Sequence, residues 1–241
     1  EGVSQRVSIC HFSNSNKTNV FTTKYLRTNN SATLFKTLKF EQAIIDTGRE
    51  HLIPKIGSGL HKNIWKKLHS KKKDINSVIS SDGVQLYYKD YGETYWIFPF
   101  NFIPYLTPVK SYKMVYCECK YSNQVFQILN SSLFYVFYST ISDCWHFGSW
   151  HINEYPVSIK EVEHLEKDII SVSYKENRIT RYDSRANGDI YEYHISKSKP
   201  IIDEIDKLLA KHYGFTEEKL DFIINYDIKY RMGDELNKDE E

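Results

Sequence analysis

Apolar and polar positions alternate over residues 7–12, break at the polar run 13–17, and resume over 20–26. That pattern predicts a β-hairpin or two adjacent strands. Leu60, Ile64 and Leu68 recur at helical spacing, so 60–69 reads as a short amphipathic helix running into Lys71, Lys72 and Lys73. Residues 85–89 and 95–98 are strand candidates around the turn 90–93, and Pro99, Pro104 and Pro108 then interrupt regular structure. Another strand is expected over 113–119. Asn123 is placed to cap a helix whose apolar stripe is Phe126, Leu129, Leu133, Val136 and Phe137.

The last third reads as helical. Ser158 and Glu161 form a capping-box pattern after Pro156, followed by Val162, Leu165, Ile169 and Val172 on one face. Pro200 suits the first turn of a second helix and Gly214 its stop. Thr216 caps a last helix whose first turn holds Glu217 and Glu218, where the helix dipole favours acids. Ile201, Ile205, Leu208 and Leu209 form one apolar stripe, and Leu220, Ile223 and Ile224 another, which predicts structural packing. The tail 234–241 is acidic.

Charge changes the picture. The net charge of the 241 residues is +1, but residues 1–133 carry 18 basic and 9 acidic side chains, a net +9. Residues 134–241 carry 14 and 22, a net −8. A basic half joined to an acidic one suggests a polyanion partner for the first. Lys62, Lys66, Lys67, His69, Lys71, Lys72 and Lys73 fall within twelve residues without an acid, and Trp65 lies among them. Lysines in such a patch release phosphate counterions on binding nucleic acid; a solvated helix face is the alternative. Arg178, Arg181 and Arg185 share one face if helical, though Asn177 and Gly188 favour a loop equally; their forks suit phosphate or guanine. Trp145, His146 and Trp150 flank Gly148 and suit base stacking if exposed, or the core if buried.

No phosphate-cradling glycine loop, nucleophile elbow or zinc helix occurs. Glu118 and Lys120 would share a strand face, as a Mg²⁺-dependent nuclease requires. The Cys-x-Cys of Cys117 and Cys119, even with Cys144 and His146, lacks zinc spacing, and the four cysteines read as buried cytoplasmic thiols. No run of apolar residues is long enough for a membrane span. The start has neither an apolar signal segment nor an initiator Met, which suggests a piece excised from a longer protein.

The run from Lys199 to Phe215, continued by Leu220 to Gly233, resembles the C-terminus of type IIG-like restriction-modification enzymes and related adenine-N6 DNA methyltransferases. Residues 130–135, 142–146 and 53–58 resemble their target recognition domain, and 1–9 the last strands of their methyltransferase core. The resemblance implies an α+β fold: terminal core strands over 1–30, a mixed-sheet target recognition domain over 31–198, and a C-terminal helical pair over 199–233 packed on it. The family's Asn-Pro-Pro-Tyr/Phe motif and its S-adenosylmethionine loop are absent from these residues. The resemblance therefore implies a DNA-specificity module without cofactor of its own. Catalysis and S-adenosylmethionine then belong to an upstream domain of the same polypeptide; an endonuclease fusion stays open. Duplex DNA would lie between the domains, with the target adenine flipped out. Lys55, Lys62, Lys66, Lys67, Lys71, Lys72 and Lys73 are the expected phosphate contacts, and Trp145, His146, Trp150 and Arg178 the base or groove contacts. Besides the nuclease, a protein-interaction module docking through its acidic half is the other alternative.

Overall fold

A computed structural model describes residues 19–26, 36, 38–44, 52–92, 95–162 and 165–233. The expected strand over 7–12 and the acidic tail lie outside them.

Three two-stranded antiparallel sheets form among the described residues, not one mixed sheet. The first is minimal: β1 (Phe21–Thr22) pairs with β2 (Glu41–Gln42). The second joins β3 (Ile79–Lys89) to β4 (Tyr112–Cys117), with Leu86 opposite Val115 and Tyr88 opposite Lys113. Ile79 and Val84 both lie opposite Cys117, so β3 bulges there. Residues 95–98 form no strand; instead Tyr87 and Phe100 exchange two backbone hydrogen bonds of 2.8 Å. The prolines at 99, 104 and 108 withhold the amides a longer ladder needs. The third sheet is the hairpin of β5 (Arg178–Asp183) and β6 (Gly188–Tyr193).

Helix α1 (Gly59–His69) forms as its spacing predicts. Ser58 caps it by accepting the His61 N–H, and His61, Ile64, Trp65 and Leu68 turn inward. The single helix expected from Asn123 is two: α2 (Ser122–Leu129) and α3 (Ser132–Ile141). Between them Ser131 is extended and accepts the Phe134 N–H, starting a new helix, while Asn130 donates to the Phe126 and Pro99 carbonyls. Asn123 lies inside the first turn of α2 and donates to the Glu166 carbonyl instead of capping. Helix α3 carries no charged residue and is buried all round except at Ile141, which makes it the centre of the core. Trp65 stacks on Phe137, and Phe134 and Phe137 meet Tyr155. A short helix α4 (Ser149–Asn153) follows.

The helix expected from Ser158 does not form. Residues 159–161 make one 3₁₀ turn, and the Ser158 side chain makes no cap hydrogen bond. The carbonyls of Leu165 and Lys167 accept from the Gln127 side chain at 2.7 and 2.9 Å, so α2 takes groups that a helix ladder would need. Asp168 then accepts from the Ile170 and Ser171 N–H groups and starts α5 (Ser171–Glu176), with Ile169 and Val172 exposed.

Helix α6 (Lys199–Tyr213) has Pro200 in its first turn and ends at Gly214 with φ +63°. Thr216 caps α7 (Glu217–Ile224), and α8 (Ile228–Met232) follows. Ile202, Ile205, Leu209 and Ile223 join the core around α3, so 199–233 is structural support. Asp206 is buried and accepts from the Ser132 and Leu133 N–H groups at 3.2 and 3.0 Å, capping α3. Among the described residues no helix is long and apolar enough to cross a membrane.

Candidate nucleic-acid interface

The lysines of α1 and the turn after it separate into two groups. A helix that buries Ile64, Trp65 and Leu68 must turn the residues between them outward, and Lys66 and Lys67 are exposed. Lys72 and Lys73 follow, also exposed. Among the described residues these four have no ion-pair partner, and Lys67 reaches the Gly214 turn. Lys62 pairs with Glu41 at 3.2 Å, and Lys71 with Glu161 at 3.7 Å while lying over the Tyr213 ring. Trp65 is not interleaved with them at the surface; it is core.

Lys73 also lines a cavity of about 270 Å³ with Ser77, Ser158, Ile159, Lys160 and Glu161. Lys160 and Lys120 both lie over the Tyr121 ring, at 5.9 and 5.2 Å. The basic surface thus continues onto two lysines that no sequence cluster announces.

Lys55 sits elsewhere. Its backbone N–H donates to Thr140 and its ammonium to the Ser142 carbonyl at 2.6 Å. Burial lowers its pKa, against the charges of Cys144 and Asp143. It serves the end of α3 rather than an open surface.

Trp145 and His146 lie in the loop before α4, and Trp150 on α4 itself. Asp143 accepts from the Trp145 and His146 N–H groups and from the His146 ring at 2.6 Å. Burial pushes the Asp143 carboxyl up, but the hydrogen bonds from His146 and Trp145 outweigh it and hold it below its ordinary range. Trp145 is 38% exposed and Trp150 40%, with Trp150 stacked 3.6 Å from the buried His151 ring. Tyr91, 53% exposed, pairs with His146 through the backbone, which brings to this segment an exposed aromatic residue that the sequence pattern missed.

Arg178, Arg181 and Arg185 share neither a helix nor a face. The first two lie on β5 and Arg185 in the turn beyond it. Arg178 stacks 3.9 Å over Tyr191. Arg181 pairs with Glu192 and Asp183.

The Glu118–Lys120 pair expected of a nuclease loses its geometry. Strand β4 ends at Cys117, and Glu118 precedes a 3₁₀ turn over Cys119–Tyr121, so Glu118 and Lys120 are not strand-face neighbours. Cys117 and Cys144 are buried free thiols, with burial pushing Cys117 up to about 11, whereas Cys119 is exposed. Among the described residues no three His, Cys, Asp or Glu side chains gather to hold a metal. Comparison with family models, with curated proteins and with solved structures finds no match for this chain.

Proposed function

We propose that the chain is the DNA-recognition module of a restriction-modification adenine-N6 DNA methyltransferase. It holds duplex DNA while an S-adenosylmethionine-dependent domain of the same polypeptide flips and methylates the adenine. One observation carries the DNA-binding part: Lys66, Lys67, Lys72 and Lys73 stand exposed within eight residues, without a carboxylate partner among the described residues. A lysine already paired to an acid gains little from a phosphate, whereas an unpaired one releases a counterion from the DNA. The methyltransferase part rests on the resemblance of the closing helices and of residues 1–9, 53–58, 130–135 and 142–146.

The test is binding of the 241-residue protein to a mixed-sequence duplex across about 50 to 200 mM salt. Four phosphate contacts give a slope of log K against log salt of roughly −3.6, at ~0.9 per phosphate. Replacing Lys66, Lys67, Lys72 and Lys73 with Ala is expected to flatten it. A slope unchanged in that variant reduces the patch to a solvated face.

A further inference from the structure

Hairpin β5–β6 is a two-stranded ribbon. Its strands pair over their full length, from Arg178 opposite Tyr193 to Asp183 opposite Gly188, and neither takes a third strand among the described residues. Strands of six residues extend about 20 Å, and two strands side by side fit a major groove about 12 Å wide.

The ribbon is anchored at its root and braced along β6. Tyr193 packs 4.5 Å from Phe100 and donates to the Pro104 carbonyl, and Thr107 donates to the Asp189 carbonyl. Thr107 thus braces the β6 side of the turn end, while the β5 side and the turn are open: Tyr182 is 63% exposed, and Thr180, Arg185 and Asn187 are exposed with it.

The turn at that end is held in one shape. Asp183 Oδ1 accepts from the Arg185 and Ala186 N–H groups at 2.8 and 3.1 Å. Asn187 takes φ +49° and accepts from the Tyr182 hydroxyl at 3.2 Å. The two arginines of β5 are already engaged, Arg178 on Tyr191 and Arg181 with Glu192 and Asp183. Arg185 has no ion-pair partner among the described residues. It presents five donors in a planar fork from an ordered turn.

The ribbon's charge points to its task. Arg178, Arg181 and Arg185 are balanced by Asp183, Asp189 and Glu192, so the ribbon carries no net charge. A neutral ribbon adds little to counterion release; it offers directed hydrogen bonds, which specify bases rather than grip phosphates.

We infer that β5–β6 is the element that reads sequence, entering the major groove with Arg185 at its tip placed to donate to guanine O6 and N7. This rests on the DNA-binding reading above and adds to it a division of labour: lysines for affinity, ribbon for specificity.

The experiment selects bound sequences from a randomised duplex pool with the wild-type chain, Arg185→Ala and Arg185→Lys. The wild type should enrich a short motif containing guanine. Both variants should lose the guanine preference at one position, by about 5- to 100-fold in relative affinity. The salt slope on mixed-sequence duplex should stay at the wild-type value in Arg185→Lys, because lysine keeps the charge and loses only the fork. Salt-dependent binding without any motif, the full motif in Arg185→Ala, or full retention in Arg185→Lys each overturns the inference while leaving the lysine patch standing. Absence of duplex binding removes both.

Discussion

The indole N–H of Trp96 donates to the backbone carbonyl of Arg231 at 2.9 Å, and the Arg231 guanidinium lies 4.1 Å from the centre of the same ring. From there the guanidinium reaches Ser132 Oγ with both terminal nitrogens at 3.1 Å and lies over Tyr135. Burial lowers its pKa, and the charge of Asp206 works against that. Arg231→Ala would leave Asp206 buried without its countercharge and α8 without its anchor. We expect a loss of about 3–5 kcal/mol in urea unfolding. A loss below about 1 kcal/mol would show the charge to be dispensable.

His61 sets a pH limit. Its Nδ1 accepts the Gly57 N–H and its Nε2 meets Thr140 Oγ1 at 2.8 Å, an arrangement for the neutral ring. Burial, with the Lys24 charge, lowers its pKa to about 4. The unfolded chain takes up the proton first, near pH 6.5, so stability is full above that pH and falls as pH drops towards 4. The slope is about 1.4 kcal/mol per pH unit for one such group. His151, which burial also lowers to about 4, adds to it. Urea titrations between pH 7 and 4.5 should show a shallower fall in His61→Gln than in the wild type. Parallel curves would place the titration elsewhere.

Gly83 has no room for a methyl group. A Cβ there would stand 1.9 Å from the Cys117 carbonyl oxygen, at the bulge where Ile79 and Val84 share that partner. Gly83→Ala must open the β3–β4 end, at about 1–3 kcal/mol by the usual scale of overpacking. A melting temperature equal to wild type would mean that the bulge relaxes freely.

Ile205 and Ile223 lie in the core, from two helices that the closing sequence already predicts. Truncating either to Ala should remove about 2–5 kcal/mol and lower the melting temperature clearly. DNA affinity per folded molecule should stay unchanged. A variant that melts normally but binds DNA differently would move the interface onto α6 and α7.

Local chemistry was legible and long-range hydrogen bonding was not. Pro200, Gly214 and Thr216 act through their own turns, and each occupies its expected place. Ser158 carries an equally local signal, yet Gln127 and Asn123 claim the carbonyls of 165–167 from some forty residues away. The exposed lysines could be found because charge resists burial. Which of them are engaged depends on Glu41, Glu161 and Ser142, which no spacing rule connects to Lys62, Lys71 and Lys55. The β5–β6 hairpin did have a readable mark in Asn187, whose left-handed φ of +49° closes the turn just before Gly188 starts β6.

The cap that Asp206 places on α3 gives synthesis of the chain a direction. Helix α3 leaves the ribosome more than sixty residues before Asp206 does, with the Ser132 and Leu133 amides unmet by that carboxylate and its apolar side chains without the α6 cover. A nascent chain halted short of α6 leaves that helix with the Ser131 cap alone and only part of its cover. Closing the core therefore waits for α6, and until it emerges the apolar side chains of α3 lack part of their cover, the condition under which growing chains associate with their neighbours.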